Sequence, residues 1–371
     1  MKKVGTAQEW KAAQEGEGGV WLETGFYEAG MNKKTGFYLE ERDFVPVQPD
    51  RIYGKIPLFC QNAYQCFREG DRNLGILFSG PAGNGKTLAA SVLAKECLKS
   101  GIPVIKVEVY YPGIGEFLMQ FENTVMFWFE NYDQNFVQIQ PAAGKVSPQA
   151  ELLKLFDGKE QKKKLFAVTC REIVGMEDTL LNRPERVRYH FYLTNPSVSS
   201  AKEYFKVQVG NVPVPEEEQK KAMHFLEKAQ VNYDCLNALA QEMKKGSTFA
   251  EAAQILNLVP PRQERFDFKL YFENGEVLEA KRRLFDIFGK EEKRIRLMEG
   301  EELSEYSVCF FPKDCIYEEE TGRLTFSPDK IRLICETKKG RNGKERIPAL
   351  LVCRRTPPKE VHYAWTEEND K

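Results

Sequence analysis

The sequence predicts an α/β fold, in which a parallel sheet of about five strands carries a small helical lid and is followed by a C-terminal β-rich domain. Three observations predict this architecture. A glycine-rich motif at residues 80–87 lies between an apolar run of strand length and a helical pattern. Apolar runs then alternate with helical segments as far as residue 193, as expected for a parallel sheet with covered faces. Beyond Pro261 the pattern changes to alternating strands joined by tight turns.

The elements follow one another along five predicted segments. These are an N-terminal arm (1–50), an α/β domain (51–196), a helical lid (197–261), a β-rich domain (262–355) and a polar tail (356–371). The arm is glycine-rich and polar, so we expect a short hairpin or an extension that packs on a neighbour. After a helix at 57–70, the strands come from the apolar runs 74–78, 102–109, 125–129, 165–169 and 187–193. Helices are predicted at 216–229, 233–245 and 249–256, and hairpin tips at 273–276, 319–323 and 339–344.

The glycine-rich motif carries the chemistry. Residues 80–87 read Gly-Pro-Ala-Gly-Asn-Gly-Lys-Thr and match the phosphate-loop (Walker A) pattern G-x-x-x-x-G-K-[ST]. Its glycines let successive N–H groups face a phosphate chain. Lys86 brings a positive charge to the β- and γ-phosphates, and Thr87 offers a hydroxyl to Mg²⁺. Since a helix begins at the motif, free N–H groups and the helix dipole converge there, and the sequence predicts a P-loop NTPase that binds a nucleoside triphosphate.

Composition limits the other functional classes. The net charge of −1 argues against a strongly basic protein that coats nucleic acid, although it is compatible with a local basic patch. Nine cysteines without a C-x-x-C pair and only three histidines favour free thiols in a reducing cytoplasm over a zinc site or a disulfide framework. The N-terminus lacks the apolar region of a signal peptide, and no run approaches the ~20 apolar residues that span a bilayer. We therefore expect a cytoplasmic protein without membrane contact.

With these landmarks in order, residues 50–258 resemble the AAA (AAA+) family of ATPases. Residues 125–133, Val-Met-Phe-Trp-Phe-Glu-Asn-Tyr-Asp, are similar to the Walker B strand of that family, an apolar run that ends in Asp-Glu. Residues 152–158 resemble the helix that commonly ends in Leu-Asp-Gly, and 165–171 fall at the sensor-1 strand. Asn-Arg-Pro-Glu-Arg at 182–186 resembles the Arg-Pro-Gly-Arg segment that reaches the neighbouring subunit's nucleotide. Within the family, the chain most resembles compact ATPases of phage genomes.

The resemblance implies an ATPase that remodels or loads a protein or nucleic-acid client, with ATP and Mg²⁺ as cofactors. It also implies a homo-oligomeric ring, a hexamer among the candidate sizes. The implied nucleotide-binding residues are Tyr53, Pro81, Ala82, Gly83, Asn84, Gly85, Lys86, Thr87 and Leu88. Tyr53 precedes the first helix, at a position where family members often place a residue beside the adenine. Packing in the core, without contact to the nucleotide, is the alternative for this residue. Thr87 and Glu130 are the implied magnesium-holding residues.

The Walker B segment departs from the family at two positions. Glu130 stands where the family has the aspartate of the Mg²⁺ shell, and Asn131 where it has the glutamate that polarises the attacking water. Because an amide cannot accept a proton, we expect normal ATP binding but hydrolysis slowed ~10²–10⁴-fold unless Asp133 replaces the base. The alternative is a nucleotide-gated oligomeric scaffold with little or no turnover. A small-molecule kinase is a third possibility, which the lid and the 182–186 segment disfavour.

Other residues allow two interpretations each. At sensor 1 the chain offers Thr169, Cys170 and Arg171, of which Arg171 is a candidate γ-phosphate contact. Three arginines are candidate arginine fingers, with Arg186 as the first choice, or are merely solvated cations; they are Arg183, Arg186 and Arg188. Residues 110–115 form either an aromatic pore loop or, as we favour, a glycine turn with packed tyrosines. The cations within 281–296 allow a contact with nucleic-acid phosphates. The interpretation that we favour is an amphipathic helix whose charged side chains are merely solvated.

Overall fold

The computed structural model describes residues 3–6, 20–46, 52–139, 146–157, 162–210, 214–258, 264–300, 302–318, 323–335 and 346–356. The chain folds as two compact units, Met1–Asn195 and Pro196–Lys371. None of the helices in the described ranges combines the length and hydropathy that a membrane span requires.

The first unit is built on a mostly parallel sheet. Its strands are β1 (Lys3–Thr6), β2 (Phe26–Asn32), β3 (Gly36–Arg42), β4 (Leu74–Ser79), β5 (Val104–Val107), β6 (Met126–Phe129), β7 (Leu165–Thr169) and β8 (Tyr189–Tyr192). They lie in the order β1-β3-β2-β5-β6-β7-β4-β8. Strands β4 to β8 pair only in parallel, which confirms the five predicted parallel strands. The hairpin β2–β3 extends the sheet, because β2 pairs in parallel with β5.

Helices cover both faces of this sheet. They are α1 (Ile56–Glu69), α2 (Lys86–Lys99), α3 (Ile114–Met119), a π-helix (Asp133–Val137), α4 (Pro148–Asp157) and α5 (Asp178–Leu181). Every residue of β4 is buried, and its side chains alternate between two apolar clusters. Ile76 and Phe78 pack with α1 and α2, whereas Leu77 packs with α3 and α4. Burial on both faces explains why β4 reads as a continuous apolar run.

The second unit begins with four helices. They are α6 (Val198–Val209), α7 (Glu216–Lys228), α8 (Tyr233–Lys244) and α9 (Phe249–Ile255). Side chains at the N-caps explain where three of them begin: Ser197 accepts from the backbone N–H of Ser200, Asn232 accepts from that of Cys235, and Thr248 forms a capping box with Glu251. The last three match the helices predicted at 216–229, 233–245 and 249–256, whereas α6 lies in the predicted helical lid without having been predicted as a separate helix.

Eight antiparallel strands complete the second unit. They are β9 (Glu264–Phe272), β10 (Val277–Phe285), β11 (Lys293–Glu299), β12 (Glu302–Phe310), β13 (Ile316–Glu318), β14 (Arg323–Phe326), β15 (Ile331–Cys335) and β16 (Pro348–Arg355). Their order is β13-β14-β16-β9-β10-β11-β12-β15. The predicted β-rich domain is thereby confirmed, including the turn at 273–276 between β9 and β10. The other two predicted hairpin tips fall wholly or mostly on residues outside the described ranges.

The amphipathic helix favoured for residues 281–296 is wrong. These residues belong to β10, β11 and the connection between them. The core positions of these two strands are two residues apart, since Leu278 and Ala280 on β10 and Ile295 and Leu297 on β11 are buried. Strand pairing with β9 and β12 decides the structure, and Lys281, Arg294 and Arg296 are exposed.

Candidate nucleotide site

The phosphate loop turns through conformations that favour glycine. Gly80, Gly83 and Gly85 have φ angles of 131°, 76° and 87°. A Cβ at Gly80 would lie 2.2 Å from the carbonyl oxygen of Leu193, so a side chain has no room there. Gly85 is the N-cap of α2 and carries no side chain that could bind the N–H groups of its first turn. Those N–H groups and the helix dipole form an anion site where the sequence predicts one.

Predicted loop residues differ in exposure. Asn84 and Lys86 are buried, Gly83, Gly85 and Leu88 are half-buried, and Pro81, Ala82 and Thr87 are exposed. Tyr53 is half-buried, and the segment that follows it reaches the loop, because a Cβ at Gly85 would lie 3.0 Å from Ile56 Cδ1. The exposed residues leave one side of the loop open to solvent.

Lys86 lies folded over the beginning of the loop. Its ammonium Nζ donates to the carbonyl oxygens of Gly80 and Pro81, at 2.8 Å each. Burial lowers the pKa of Lys86; the positive charge of Arg171 lowers it further, while Asp133 and Glu130 act in the opposite direction. Two carboxylates and an arginine therefore lie within electrostatic range of this ammonium group.

Glu130 is joined directly to the loop. Its Oε1 accepts hydrogen bonds from Thr87 Oγ1 at 2.9 Å and from Thr169 Oγ1 at 3.0 Å. The residue is 7% exposed, and its Oε2 is buried without a hydrogen-bond partner among the described residues. Mg²⁺ prefers oxygen ligands and is commonly held by one or two carboxylates together with substrate phosphates. The paired hydroxyl and carboxylate, with one carboxylate oxygen unsatisfied, fit that ion.

Asn131 turns the chain sharply at the end of β6. It has a φ of 49°, a left-handed conformation that asparagine tolerates better than most residues. Its backbone N–H donates to Thr169 Oγ1 at 3.0 Å. The π-helix follows at once, a form that occurs frequently at functional sites. Together these two features carry Asp133, its first residue, back to the end of the neighbouring strand β7.

The carboxylate of Asp133 is held beside the loop. Its Oδ2 accepts from the backbone N–H of Arg171 at 3.1 Å, and the carbonyl oxygen of Arg171 accepts from the N–H of Gly80 at 3.3 Å. Asp133 is 7% exposed, and its Oδ1 has no hydrogen-bond partner among the described residues. The Arg171 side chain is exposed, whereas Cys170 beside it is fully buried. Because burial raises the pKa of Cys170 to about 12, this thiol stays protonated near neutral pH.

The three candidate finger arginines have different environments. Arg186 is 5% exposed and binds both carboxylate oxygens of Asp157, from Nε at 2.6 Å and from Nη2 at 2.7 Å. Its Nη1 donates to the carbonyl oxygen of Thr179 at 2.7 Å. The priority given to Arg186 as a finger therefore needs correction, because its guanidinium is already used within its own chain. Arg183 and Arg188 are exposed.

The glycine turn at 110–115 is held from within the chain. Tyr110 donates its hydroxyl to Glu151 Oε2 at 2.8 Å and packs edge-on against Phe136, with ring centroids 6.0 Å apart. The other oxygen of Glu151 accepts from the N–H groups of Gly113 and Gly115, at 3.0 Å each. For Tyr110 this geometry agrees with the packed-tyrosine interpretation rather than with a client-gripping pore residue.

Two polar pairs near the loop were not anticipated from the sequence. Asn84 donates from Nδ2 to Asn195 Oδ1 at 2.9 Å, and Ser79 Oγ lies 2.6 Å from His190 Nε2. Ser79 ends β4, while His190 lies on β8 and Asn195 follows it. Only the adjacency of β4 and β8 brings them together, and no local motif marks that adjacency. The sequence offered only a general indication of these pairs, because the carboxyl ends of parallel strands commonly carry binding groups.

Comparisons with known proteins agree with this geometry. Residues 76–195 match the family described as "ATPase family associated with various cellular activities (AAA)". The chain is 26% identical over 226 residues to a protein named as a cell division cycle ATPase in Plasmodium falciparum (isolate 3D7), which covers 56% of this chain and 18% of that relative. It is 28% identical over 160 residues to the cell division cycle protein 48 homolog of Archaeoglobus fulgidus, covering 38% of this chain and 21% of the relative.

The chain thus spans about a fifth of the length of these curated relatives. The phosphate loop, Glu130, Asp133 and Arg171 all fall within the matched residues 76–195. Residues 76–195 thus form a domain that matches the AAA family of ATPases.

Proposed function

We propose that this protein binds ATP with Mg²⁺ and hydrolyses it slowly, in the cytoplasm, to remodel or load a protein or nucleic-acid client. One observation carries the proposal: hydrogen bonds join the Walker B edge to the phosphate loop, from Thr87 to Glu130, and to the residues after β7, from Arg171 to Asp133. The match of residues 76–195 to the AAA family supports it, as do the names of the two relatives, which denote cell division cycle proteins.

The loop supplies the binding step. In the proposed complex, N–H groups of residues 82–88 face the phosphates, and the Lys86 ammonium exchanges the carbonyls of Gly80 and Pro81 for phosphate oxygens. Thr87 and Glu130 hold Mg²⁺, which neutralises charge on the phosphates when bound. Glutamate suits this position because its longer side chain already reaches the Thr87 hydroxyl.

Asp133 is the proposed general base. Asn131 has no group that can take a proton from water, whereas Asp133 has one carboxylate oxygen fixed by Arg171 and the other without a partner among the described residues. That second oxygen can accept the proton of an attacking water. A well-placed base contributes ~10²–10⁴-fold to a rate. Because Asp133 stands two residues beyond the usual position, we propose turnover below that of a site with the usual glutamate.

We further propose a ring of identical subunits in which Arg183 acts across the interface. A finger needs a guanidinium that can leave its own subunit, and Arg183 is exposed while Arg186 is held by Asp157. The ion pair of Arg186 then fixes the turn that presents Arg183. A finger supplied by a neighbour contributes ~10³–10⁵-fold to turnover, so the isolated subunit is expected to be nearly inactive.

The second candidate function is a nucleotide-gated scaffold. Asn131, with its backbone fixed by Thr169, favours this candidate, because the residue that usually polarises water is replaced by an amide. In a scaffold, ATP bound between subunits would hold the assembly together without being consumed. The two functions differ in turnover, not in nucleotide binding.

The test combines ATP turnover with oligomer mass, both with and without ATP, for the wild type, Lys86→Ala and Asp133→Asn. Lys99→Ala is the matched control, since it removes a lysine from the exposed end of the same helix. Turnover that is lost in Lys86→Ala and reduced in Asp133→Asn, but kept in Lys99→Ala, supports the ATPase. ATP-dependent assembly without turnover in the wild type supports the scaffold and contradicts the proposed hydrolysis.

A further inference from the structure

The outward side of the C-terminal sheet carries many cations. On β9, Phe266, Phe268 and Leu270 are fully buried in the core, so the residues that alternate with them face outward. Strand pairing extends the same side across the sheet, because Glu279 of β10 pairs with Lys269 of β9 and with Met298 of β11, and Arg354 of β16 pairs with Asp267 of β9. We call the resulting set the basic sheet face; its members, all exposed, are Arg265, Lys269, Lys281, Arg294, Arg296 and Arg354.

Strand pairing gathers these residues on one surface. The strands β16, β9, β10 and β11 are consecutive neighbours in the sheet. Arg354 of β16 pairs with Asp267 of β9, and Lys269 of β9 pairs with Glu279 of β10. Arg294 and Arg296 on β11 are two residues apart, which places them about 7 Å apart along the strand. The cations therefore form a regular array across four strands rather than a single anion pocket.

The two carboxylates within this surface are already engaged. Asp267 Oδ1 accepts from the backbone N–H of Arg282 at 2.6 Å and from Thr356 Oγ1 at 2.8 Å. Glu279 lies 2.9 Å from the ammonium of Lys269 and 3.5 Å from that of Lys281. The face carries six cations against these two carboxylates, so it keeps a positive excess although the whole chain has a net charge of −1.

A strained bulge lies beside this face. Arg282 has a φ of 55°, and the register of β10 against β9 shifts between Ala280 and Arg283. A left-handed conformation in a residue other than glycine is costly, and such bulges redirect side chains next to functional sites. The bulge puts two further cations in succession, and the Nε of Arg283 is buried without a hydrogen-bond partner among the described residues. Asp267 stabilises the bulge by accepting the N–H of Arg282.

We propose that the basic sheet face binds single-stranded nucleic acid through its phosphate backbone. Arginine predominates on the face, and its planar guanidinium matches a phosphate in a two-point contact. The repeated spacing along β11 suits a chain of phosphates better than one isolated anion. Tyr271, half-buried and alternating with the core residues of β9, offers a ring on the same side for stacking with a base. This surface lies in the second unit and does not depend on the proposed ATP hydrolysis.

The test is fluorescence anisotropy of a labelled single-stranded oligonucleotide with the full chain, without nucleotide, between about 50 and 200 mM salt. The variant Arg294→Gln with Arg296→Gln removes two cations from the face. Lys220→Gln with Lys221→Gln removes two from the exposed surface of α7 and is the matched control. For single strands each lost phosphate contact lowers the salt slope by about 0.7, so the face variant should lose about 1.4 in slope and roughly tenfold in affinity.

Several outcomes would overturn the proposal. They are no binding by the wild type at the lowest salt, equal loss in the control, tighter binding of the duplex form, or equal competition by polyglutamate or by vesicles containing phosphatidylserine. Thermal unfolding checks that the face variant folds, and Lys281→Gln provides a second test on another strand. Failure here leaves the ATPase proposal intact, and absence of turnover leaves this one intact.

Discussion

The substitution Arg186→Ala is expected to destabilise the first unit because it removes a buried cation with three hydrogen bonds. Arg186 binds both oxygens of Asp157 and the carbonyl of Thr179, and its side chain is 6% exposed. Removing one partner of a fully buried ion pair costs about 3–5 kcal/mol. Since the side chain of Asp157 is 38% exposed and can regain water, the lower end, about 3 kcal/mol, is the appropriate magnitude.

A cost of this size is readily measured. For a unit of this length, each kcal/mol lowers Tm by about 2–4 °C, so Arg186→Ala should lower it by about 6–12 °C. The control is Arg183→Ala, an exposed residue of the same turn, which should change stability by less than about 0.5 kcal/mol and yet reduce ATP turnover. Thermal unfolding and turnover are measured on the same samples. If Arg186→Ala kept the wild-type Tm while abolishing turnover, Arg186 would be the finger and the reasoning from its ion pair would be refuted.

Three further predictions concern single residues. Asp133→Asn should lower kcat by about 10²-fold or more with little change in ATP affinity, which single-turnover kinetics and equilibrium binding can separate. Arg171→Ala should lose the preference for ATP over ADP, measured by competition binding, if its exposed side chain contacts the γ-phosphate; unchanged preference would contradict that contact. Lys164→Met should cost about 1–3 kcal/mol in urea unfolding, because the ammonium of this buried lysine donates to the carbonyls of Phe121 and Asn123. Burial lowers the pKa of Lys164 to about 8, so between pH 8 and about 10 the unfolded chain binds more protons at this residue than the folded chain does. The free energy of unfolding of the wild type should therefore rise over this pH range through Lys164. Lys164→Met lacks the titrating group and should not show this rise.

The candidate nucleotide site could be derived from the sequence because its signals are local. A glycine loop, the lysine and hydroxyl that follow it and the apolar strand before it are contiguous in sequence, and each has one physical role. The β2–β3 hairpin was predicted only as one option, because nothing in its sequence indicates that β2 pairs in parallel with β5. The ion pair of Arg186 was missed for a similar reason. Its partner Asp157 is 29 residues away, and only the folded sheet brings the two together.

The basic residues within 281–296 show a different limit. Their charges gave no clear period, so a helix and a strand were both compatible with the sequence. Pairing of β10 with β9 and of β11 with β12 decided the outcome, as tertiary context often does for short amphipathic segments. The bulge at Arg282 could not be anticipated either, because an arginine in a left-handed conformation has no sequence signal.

Asn131 and Asp133 are best understood as one structural solution. With a φ of 49°, position 131 favours asparagine or glycine, and a glutamate there would pay about 1–2 kcal/mol for the left-handed turn. The same turn leads into the π-helix that returns a carboxylate, Asp133, to the loop. We therefore predict that Asn131→Gly keeps both fold and turnover, because glycine adopts this conformation readily.

In the Asp133→Asn background, Asn131→Glu should not restore turnover, because the carboxylate would be attached to a strained turn rather than fixed by Arg171. Steady-state ATP hydrolysis by the single and double variants decides between the two views. Full recovery in the double variant would mean that position 131 still has the geometry of a catalytic glutamate. The amide at 131 would then be the reason for slow turnover. If Asp133→Asn lacks turnover both alone and combined with Asn131→Glu, Asn131 has the conformational role and Asp133 the chemical role.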